Sequence, residues 1–221
     1  MTAPSRPESS TAVPDSLCRI DGPSHAAATL LLAHGAGAPM DSPFMTAIAT
    51  GLGDRGWRVV RFEFPYMARQ RQTGRKAAPD RMPVLQDCFQ QWVARESGDR
   101  PLLIGGKSMG GRVASLLADE LGVSGCLCLG YPFHPPGKPE QLRTDHLQNL
   151  QTPTLILQGE RDSFGKRGEV ETYPLSPQIS VVWLVAGDHS FKPTRSSGLS
   201  EQDNWRAAVD HADRFLQRCV D

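Results

Sequence analysis

The chain has 221 residues, enough for one domain that buries a core without the help of disulfides. Its 24 Lys and Arg residues balance 24 Asp and Glu residues, so the formal net charge is zero, which argues against an electrostatically driven nucleic-acid binder or a polybasic membrane anchor. The apolar runs are far shorter than the roughly 20 residues of a membrane-spanning helix. We therefore expect a cytoplasmic globular protein that binds neither nucleic acid nor membranes.

The first 16 residues differ from the rest of the chain. They are polar and rich in Ser, Thr and Pro, without the apolar stretch of roughly 7 to 15 residues at the centre of a signal peptide. We expect a flexible N-terminal segment over 1–16 and a single domain over 17–221.

Short apolar runs alternate with helical stretches, which is typical of repeated βα units and predicts a mostly parallel sheet covered on both faces. Strands are predicted at 17–20, 28–33, 57–64, 101–105, 126–130, 154–159 and 181–187. Helices are predicted at 43–55, 83–96, 109–121 and 201–218, and the segments 65–82 and 131–139 are predicted to be irregular. In such folds ligands bind beyond the carboxyl ends of the strands, so the residues after each apolar run are the candidates for a site.

The five cysteines are odd in number, and their spacings do not resemble a zinc site. Cys126 and Cys128 would point to the same face of a strand, which favours a role in core packing. Neither a metal nor an organic cofactor is expected.

A G-x-S-x-G pattern follows the apolar run 101–105 and precedes the helical run 109–121. This strand-turn-helix setting is the one that a nucleophile elbow requires. Glycine is needed at 106 and 110 because side chains there would collide with neighbouring chain, and Ser108 would then be exposed at a helix N-terminus, where an anion is favoured. Ser108 is thus the candidate nucleophile, and the alternative is a serine that merely begins a helix.

A serine nucleophile requires an imidazole to accept its proton and a carboxylate to orient that imidazole. Asp162 follows the run 154–159, and His189 follows the run 181–187. The chain order Ser108, Asp162, His189 is the order that this type of fold uses. The alternatives are a turn role for Asp162, with Glu160 as the acid, and a structural role for His189.

The oxyanion that forms after attack needs two amide donors. The amide of Met109, which follows the nucleophile, is the first. The second is predicted to be Ala36, in the sequence HGAG that follows the run 28–33. His34 would then order this loop.

These residues resemble the α/β-hydrolase superfamily, and the compact architecture is similar to its small dienelactone-hydrolase-like and carboxylesterase-like members. The segments HGAGAPMDSPFM, FEFPYM, GKSMGGR, GERDSFG and GDHSF together resemble a branch of small predicted hydrolases that also includes chromatin-complex subunits of animals. The resemblance covers roughly residues 25–218. It implies an α/β-hydrolase fold with a mostly parallel sheet of about seven strands, helices on both faces and no separate lid domain. A dienelactone hydrolase in the strict sense uses a cysteine nucleophile, whereas this chain has Ser108.

Two loops are candidates for shaping specificity. The basic loop 67–81 contains more Arg and Lys than acid, which indicates either a solvated loop or a site for an anionic substrate or acidic partner. The loop 131–139 follows a strand end, so Phe133 and His134 are predicted to line the substrate site.

The sequence therefore predicts a serine hydrolase that acts on a small-molecule carboxylic ester or a related acyl bond through an acyl-enzyme on Ser108. An alternative is a non-catalytic interaction module of the same fold that uses the basic loop 67–81. Acyl transfer or perhydrolysis by the same triad also remains open, as does the oligomeric state.

Overall fold

A seven-stranded sheet forms the centre of the computed structural model, which describes residues 17–221; the predicted N-terminal segment 1–16 lies outside the described residues. The strands run β1 (Cys18–Asp21), β2 (Thr29–Ala33), β3 (Arg58–Phe62), β4 (Leu102–Lys107), β5 (Gly125–Leu129), β6 (Thr154–Gly159) and β7 (Ile179–Leu184). Their order across the sheet is β1-β3-β2-β4-β5-β6-β7, and β1 alone runs antiparallel to its neighbour. The predicted α/β-hydrolase fold with about seven strands is thus confirmed.

In the described part of the chain, six helices cover the two faces of the sheet. They are α1 (Pro43–Gly53), α2 (Pro65–Thr73), α3 (Met82–Glu96), α4 (Met109–Leu121), the short α5 (Arg167–Val170) and α6 (Glu201–Val220). The apolar faces of α2, α3 and α4 pack in one core, and those of α1 and α6 pack in the core on the opposite face of the sheet. Within residues 17–221 none of these helices combines the length and the apolar character that crossing a membrane would require.

The strand register brings the carboxyl ends of the parallel strands to one edge of the sheet. Ala33 at the end of β2 pairs with Gly106 of β4, and Gly159 at the end of β6 pairs with Leu184 of β7. The segments that follow β2, β4, β6 and β7 therefore meet at this edge, and they carry all the residues predicted for the triad and the oxyanion hole.

The segment 65–82 differs from its prediction. It was expected to be irregular because of Gly74 and Pro79, but Pro65–Thr73 forms helix α2. Pro65 occupies the first helical position, where its fixed φ suits a helix, and Gly74 ends the helix with φ 67°. Buried Tyr66 and Met67 hold the first turn against the core.

Cys126 and Cys128 lie on one face of β5, as the strand periodicity predicts. Both are fully buried in the core shared with α3 and α4, and their sulfur atoms are 3.9 Å apart. The packing role expected for them agrees with this position.

Candidate active site

Ser108 lies in a strained turn between β4 and α4. Its φ of 51° and ψ of −113° are unusual for a residue with a side chain. A methyl group on Gly110 would lie 2.6 Å from the carbonyl oxygen of His34, and one on Gly106 would lie 2.7 Å from that of Ala33. Because backbone cannot yield at such distances, only glycine allows the turn to pack against the loop after β2.

Three of the predicted site residues form a continuous chain of hydrogen bonds. The Oγ of Ser108 lies 2.9 Å from Nε2 of His189, and Nδ1 of His189 lies 2.7 Å from Oδ2 of Asp162. The side chain of Asp162 is fully buried, whereas that of His189 is 23% exposed. The ring of Phe164 lies against the imidazole with 4.2 Å between the ring centres. The imidazole is therefore partly open to solvent, while the acid is shielded from water.

The Asp162 carboxylate is held by donors other than the histidine. The amide of Phe164 donates to Oδ1 at 2.8 Å, and the side-chain amide of Gln158 donates to Oδ2 at 2.9 Å. Glu160, the alternative acid, accepts a hydrogen bond from the amide of Ala186 and faces Arg167 instead. The geometry thus places Asp162, not Glu160, against the imidazole.

Burial lowers the pKa of His189, and the positive charge of Lys107 lowers it further, although the hydrogen bond that His189 donates to Asp162 acts in the opposite direction. The imidazole is therefore neutral at neutral pH. In that state Nδ1–H donates to Asp162, which leaves Nε2 free to accept the hydroxyl proton of Ser108.

The loop that carries His189 is fixed from two sides. Oδ1 of Asp188 accepts hydrogen bonds from the amides of Ser190 and Lys192, so Asp188 shapes the turn. Asn204 in α6 is buried and donates to the carbonyl oxygens of Val185 and Phe191, at 3.0 and 2.7 Å. Sequence reasoning did not identify Asn204, because its neighbours in α6 indicated only a core-facing helix.

The loop after β2 is held by His34 and Tyr66. Nε2 of His34 accepts the amide of Phe64 at 3.1 Å, so Nδ1 carries the proton and donates to the carbonyl of Gly35 at 2.7 Å. The hydroxyl of Tyr66 donates to the carbonyl of Ala36 at 3.0 Å. Of the described residues, none accepts a hydrogen bond from the amide of Ala36 or from that of Met109. Two main-chain donors are therefore available near Ser108.

A cavity of about 280 Å³ opens beside Ser108 and His189. Its remaining lining is Gly35, Ala36, Gly37, Ala38, Ser42, Phe44, Met45, Lys107, Phe164 and Ser190. It is mostly apolar, and its volume lies near the lower end of the range for small-molecule sites.

Phe133 and His134 were predicted to line the substrate site, but neither lines this cavity. Phe133 is fully buried and packs edge-on against Tyr131, with ring centres 4.8 Å apart. His134 is also buried, and its ring nitrogens lie against the carbonyl of Pro135 and the carboxylate of Glu169. The loop turns these side chains into the core instead of toward the nucleophile, so their positions do not support the prediction.

Comparison with known proteins agrees with the architecture. The model of an alpha/beta hydrolase domain family matches residues 26–217, which is most of the chain. The chain belongs to this family.

Solved structures share the hydrolase fold at low sequence identity. XC6422 from Xanthomonas campestris, described as an α/β serine hydrolase without a lid, is 22% identical with a TM-score of 0.67 over 92% of this chain and 88% of that chain. Est1E from Butyrivibrio proteoclasticus is 12% identical with a TM-score of 0.68 over 95% and 97%. A dienelactone hydrolase from Anabaena variabilis is 18% identical with a TM-score of 0.69 over 92% of each chain. At these identities the likeness concerns the fold.

Some of the basic side chains in loop 67–81 of this hydrolase form ion pairs within the protein. Arg69 pairs with Asp80, and Arg71 bridges Asp41 and the fully buried carboxylate of Glu63. The remaining cations, Arg75, Lys76 and Arg81, are exposed. A non-catalytic interaction module would need these positive charges for its partner. The charges of Arg69 and Arg71 are instead paired within the protein.

Proposed function

We propose that this hydrolase cleaves a carboxylic ester or a related acyl bond through an acyl-enzyme formed on Ser108. The observation that carries the proposal is the unbroken hydrogen-bond chain from Ser108 through His189 to Asp162, with distances of 2.9 and 2.7 Å. A fully buried carboxylate, a neutral imidazole and a serine in a strained elbow are the three parts that activate a hydroxyl at neutral pH.

In the acylation step, Oγ of Ser108 attacks the carbonyl carbon of the ester while Nε2 of His189 takes its proton. The carbonyl oxygen becomes an anion, which the amides of Met109 and Ala36 stabilise. The imidazolium that forms is stabilised by the charge of Asp162. The tetrahedral intermediate then collapses, the carbon–oxygen bond to the alcohol breaks, and His189 donates its proton to the departing alcohol.

In the deacylation step, His189 takes a proton from a water molecule that attacks the acyl-enzyme. The same two amides stabilise the second oxyanion. The bond to Oγ breaks, His189 returns the proton to Ser108, and the carboxylic acid leaves. The residues of the chain account for every proton transfer in this cycle.

The cavity favours a small substrate. Its volume of about 280 Å³ and its lining by Phe44, Met45 and Phe164 suit a short apolar acyl group or leaving group. A small-molecule ester is therefore the proposed substrate class. Action in the cytoplasm stays a prediction of the sequence.

Labelling with a fluorophosphonate probe, followed by mass spectrometry of the modified peptide, tests the proposal. We expect modification of Ser108 in the native protein, and its loss in Ser108→Ala and His189→Ala. Ser196→Ala, which removes an exposed serine, is the matched control and should label like the native protein. A series of nitrophenyl esters of increasing acyl length should then give the highest kcat/KM for short chains. Folded native protein that does not label, or that labels at another residue, would overturn the proposal.

A further inference from the structure

Lys107 occupies the position before the candidate nucleophile, and the mechanism above does not use it. The residue is buried, with 8% of its surface exposed, although it ends in an ammonium group. Its Nζ donates a hydrogen bond to the main-chain carbonyl oxygen of His189 at 2.7 Å and lies 5.5 Å from the centre of the Phe44 ring. It forms no ion pair with any residue in the described range 17–221.

A buried ammonium without a carboxylate in contact is expensive for a fold, so its presence beside a reactive serine calls for a reason. The charged and titratable groups that face it are Asp162, Asp188 and His189, from the loops after β6 and β7. The residues that approach it from α1 and from the loops after β2 and β5 are Phe44, Gly35 and Gly130, which carry no charge. Lys107 is thus the cation of a site whose buried anion is Asp162.

The backbone around Lys107 leaves room for the hydrogen bond between its Nζ and the carbonyl oxygen of His189. Gly130 follows β5 with φ 65°, and a methyl group there would lie 3.0 Å from Nζ of Lys107 and 2.8 Å from the carbonyl oxygen of His189. Among the described residues, Lys107 is the hydrogen-bond donor to that carbonyl. The contact therefore fixes the backbone of the histidine itself, whereas Asp188 and Asn204 fix the backbone on either side of it.

We propose that Lys107 is a positioning residue, whose ammonium holds the main-chain carbonyl of His189 and thereby sets the imidazole against Ser108. This inference rests on the proposed function. A misplacement of about 1 Å at a reacting group can lower a rate by roughly 100-fold, so one hydrogen bond to the backbone of the base can have a large effect.

The charge of Lys107 also affects the pH dependence. Burial lowers the pKa of its ammonium to about 8, while Asp162 and Asp188 act in the opposite direction. Below that pH the positive charge of Lys107 lowers the pKa of His189 and favours the neutral imidazole that accepts a proton. Above it, the charge is lost and the hydrogen bond to the carbonyl of His189 weakens, because a neutral amine is a poorer donor than an ammonium. The native enzyme should therefore lose activity at acidic pH as His189 is protonated, and again above about pH 8 as Lys107 is deprotonated.

The test compares Lys107→Met, which removes both charge and donor, with Lys107→Gln, which keeps an amide donor without the charge. Lys138→Met, at an exposed lysine, is the control and should behave like the native protein. For each folded variant, kcat and KM on a short ester and the rate of fluorophosphonate labelling are measured from pH 5 to 10.

In Lys107→Met we expect kcat to fall about 10- to 100-fold with KM within about twofold, and labelling to slow in parallel. The acidic limb of the profile should move to higher pH, and the alkaline limb near pH 8 should disappear. Lys107→Gln should recover part of kcat. Its acidic limb should also move to higher pH, and its alkaline limb should also be absent. If Lys107→Met does not fold, Lys107→Gln alone still gives the change in the pH profile.

A folded Lys107 variant with the native kcat and the native pH profile would overturn this inference while labelling of Ser108 in the native protein still supports the proposed function. A loss that appears in KM alone would also overturn it, because it would assign Lys107 to substrate binding. Native protein that does not label at Ser108 would overturn both.

Discussion

Gln158 offers a sharp test of how the buried acid is held. Its side chain, at the end of β6, is fully buried and makes four hydrogen bonds. The amide nitrogen donates to Oδ2 of Asp162 at 2.9 Å and to the carbonyls of Tyr131 and Gly165 at 3.1 and 3.3 Å. The amide oxygen accepts from the N–H of Tyr131 at 2.7 Å. Substitution by leucine keeps the volume and removes all four bonds.

The expected loss in the free energy of unfolding has two parts. Gln158→Leu leaves the N–H of Tyr131 buried without its partner, and each such group costs about 1–3 kcal/mol. It also removes one of three donors to the Asp162 carboxylate, the others being the amide of Phe164 and His189. A hydrogen bond to a charged group contributes about 1.5–3 kcal/mol. We therefore expect a loss of about 2.5–6 kcal/mol in the free energy of unfolding and a fall in kcat of about 10-fold.

Urea denaturation followed by circular dichroism gives the change in the free energy of unfolding. Ester hydrolysis, under conditions where the variant is fully folded, gives the change in kcat. Gln141→Leu, at an exposed glutamine, is the matched control and should change the unfolding free energy by less than about 0.5 kcal/mol. If Gln158→Leu is as stable and as active as the control, the buried amide does not orient Asp162.

Two further predictions concern backbone packing and buried charge. Gly110→Ala should abolish folding or destabilise the protein by more than about 3 kcal/mol in a urea titration, because its methyl group would lie 2.6 Å from a carbonyl oxygen. Gly98→Ala is the control, since a methyl group there meets no described atom within 4 Å, and it should leave the unfolding free energy unchanged. Arg71→Ala should lower the unfolding free energy by about 2–3 kcal/mol, because it leaves the fully buried carboxylate of Glu63 without its cation. Adding Glu63→Gln should restore part of that loss; equal stability of the single and double variants would contradict this account.

The strands and the positions after them could be predicted because the signals are local. The run 154–159 was placed at the bounds that the structure has, and the helix after Ser108 also begins and ends as predicted. Ser108, Asp162 and His189 follow from the same logic, since parallel strands bring their carboxyl ends to one edge whatever their side chains.

Helix α2 was missed for a physical reason that the sequence does contain. Gly74 and Pro79 were taken as breakers within one irregular segment, but Pro65 and Gly74 mark the two ends of a nine-residue helix. Its buried residues, Tyr66, Met67 and Ala68, make a weak apolar pattern, and its arginines find their partners outside the helix. Local periodicity does not report such partners.

Side-chain direction in loops was the other limit. Phe133 and His134 follow a strand end, as the site residues do, but the direction of a loop side chain depends on what it packs against. Phe133 meets Tyr131 and Tyr173, and His134 meets Glu169. Gln158 was not singled out from the sequence, although a glutamine in an otherwise apolar buried strand is itself a signal, because it needs hydrogen-bond partners.

The charges of the site are arranged before the reaction begins. The resting site has one buried anion, Asp162, which accepts a hydrogen bond from the imidazole of His189, and one buried cation, Lys107, which donates to the main-chain carbonyl of the same residue. In the proposed reaction, attack by the serine would create a new pair of charges, an imidazolium beside Asp162 and an oxyanion beside the amides predicted to hold it, those of Met109 and Ala36. Both new charges would thus meet groups that the fold already holds in place, so little reorganisation is needed as the charges form. Electrostatic stabilisation lowers a reaction barrier most under this condition.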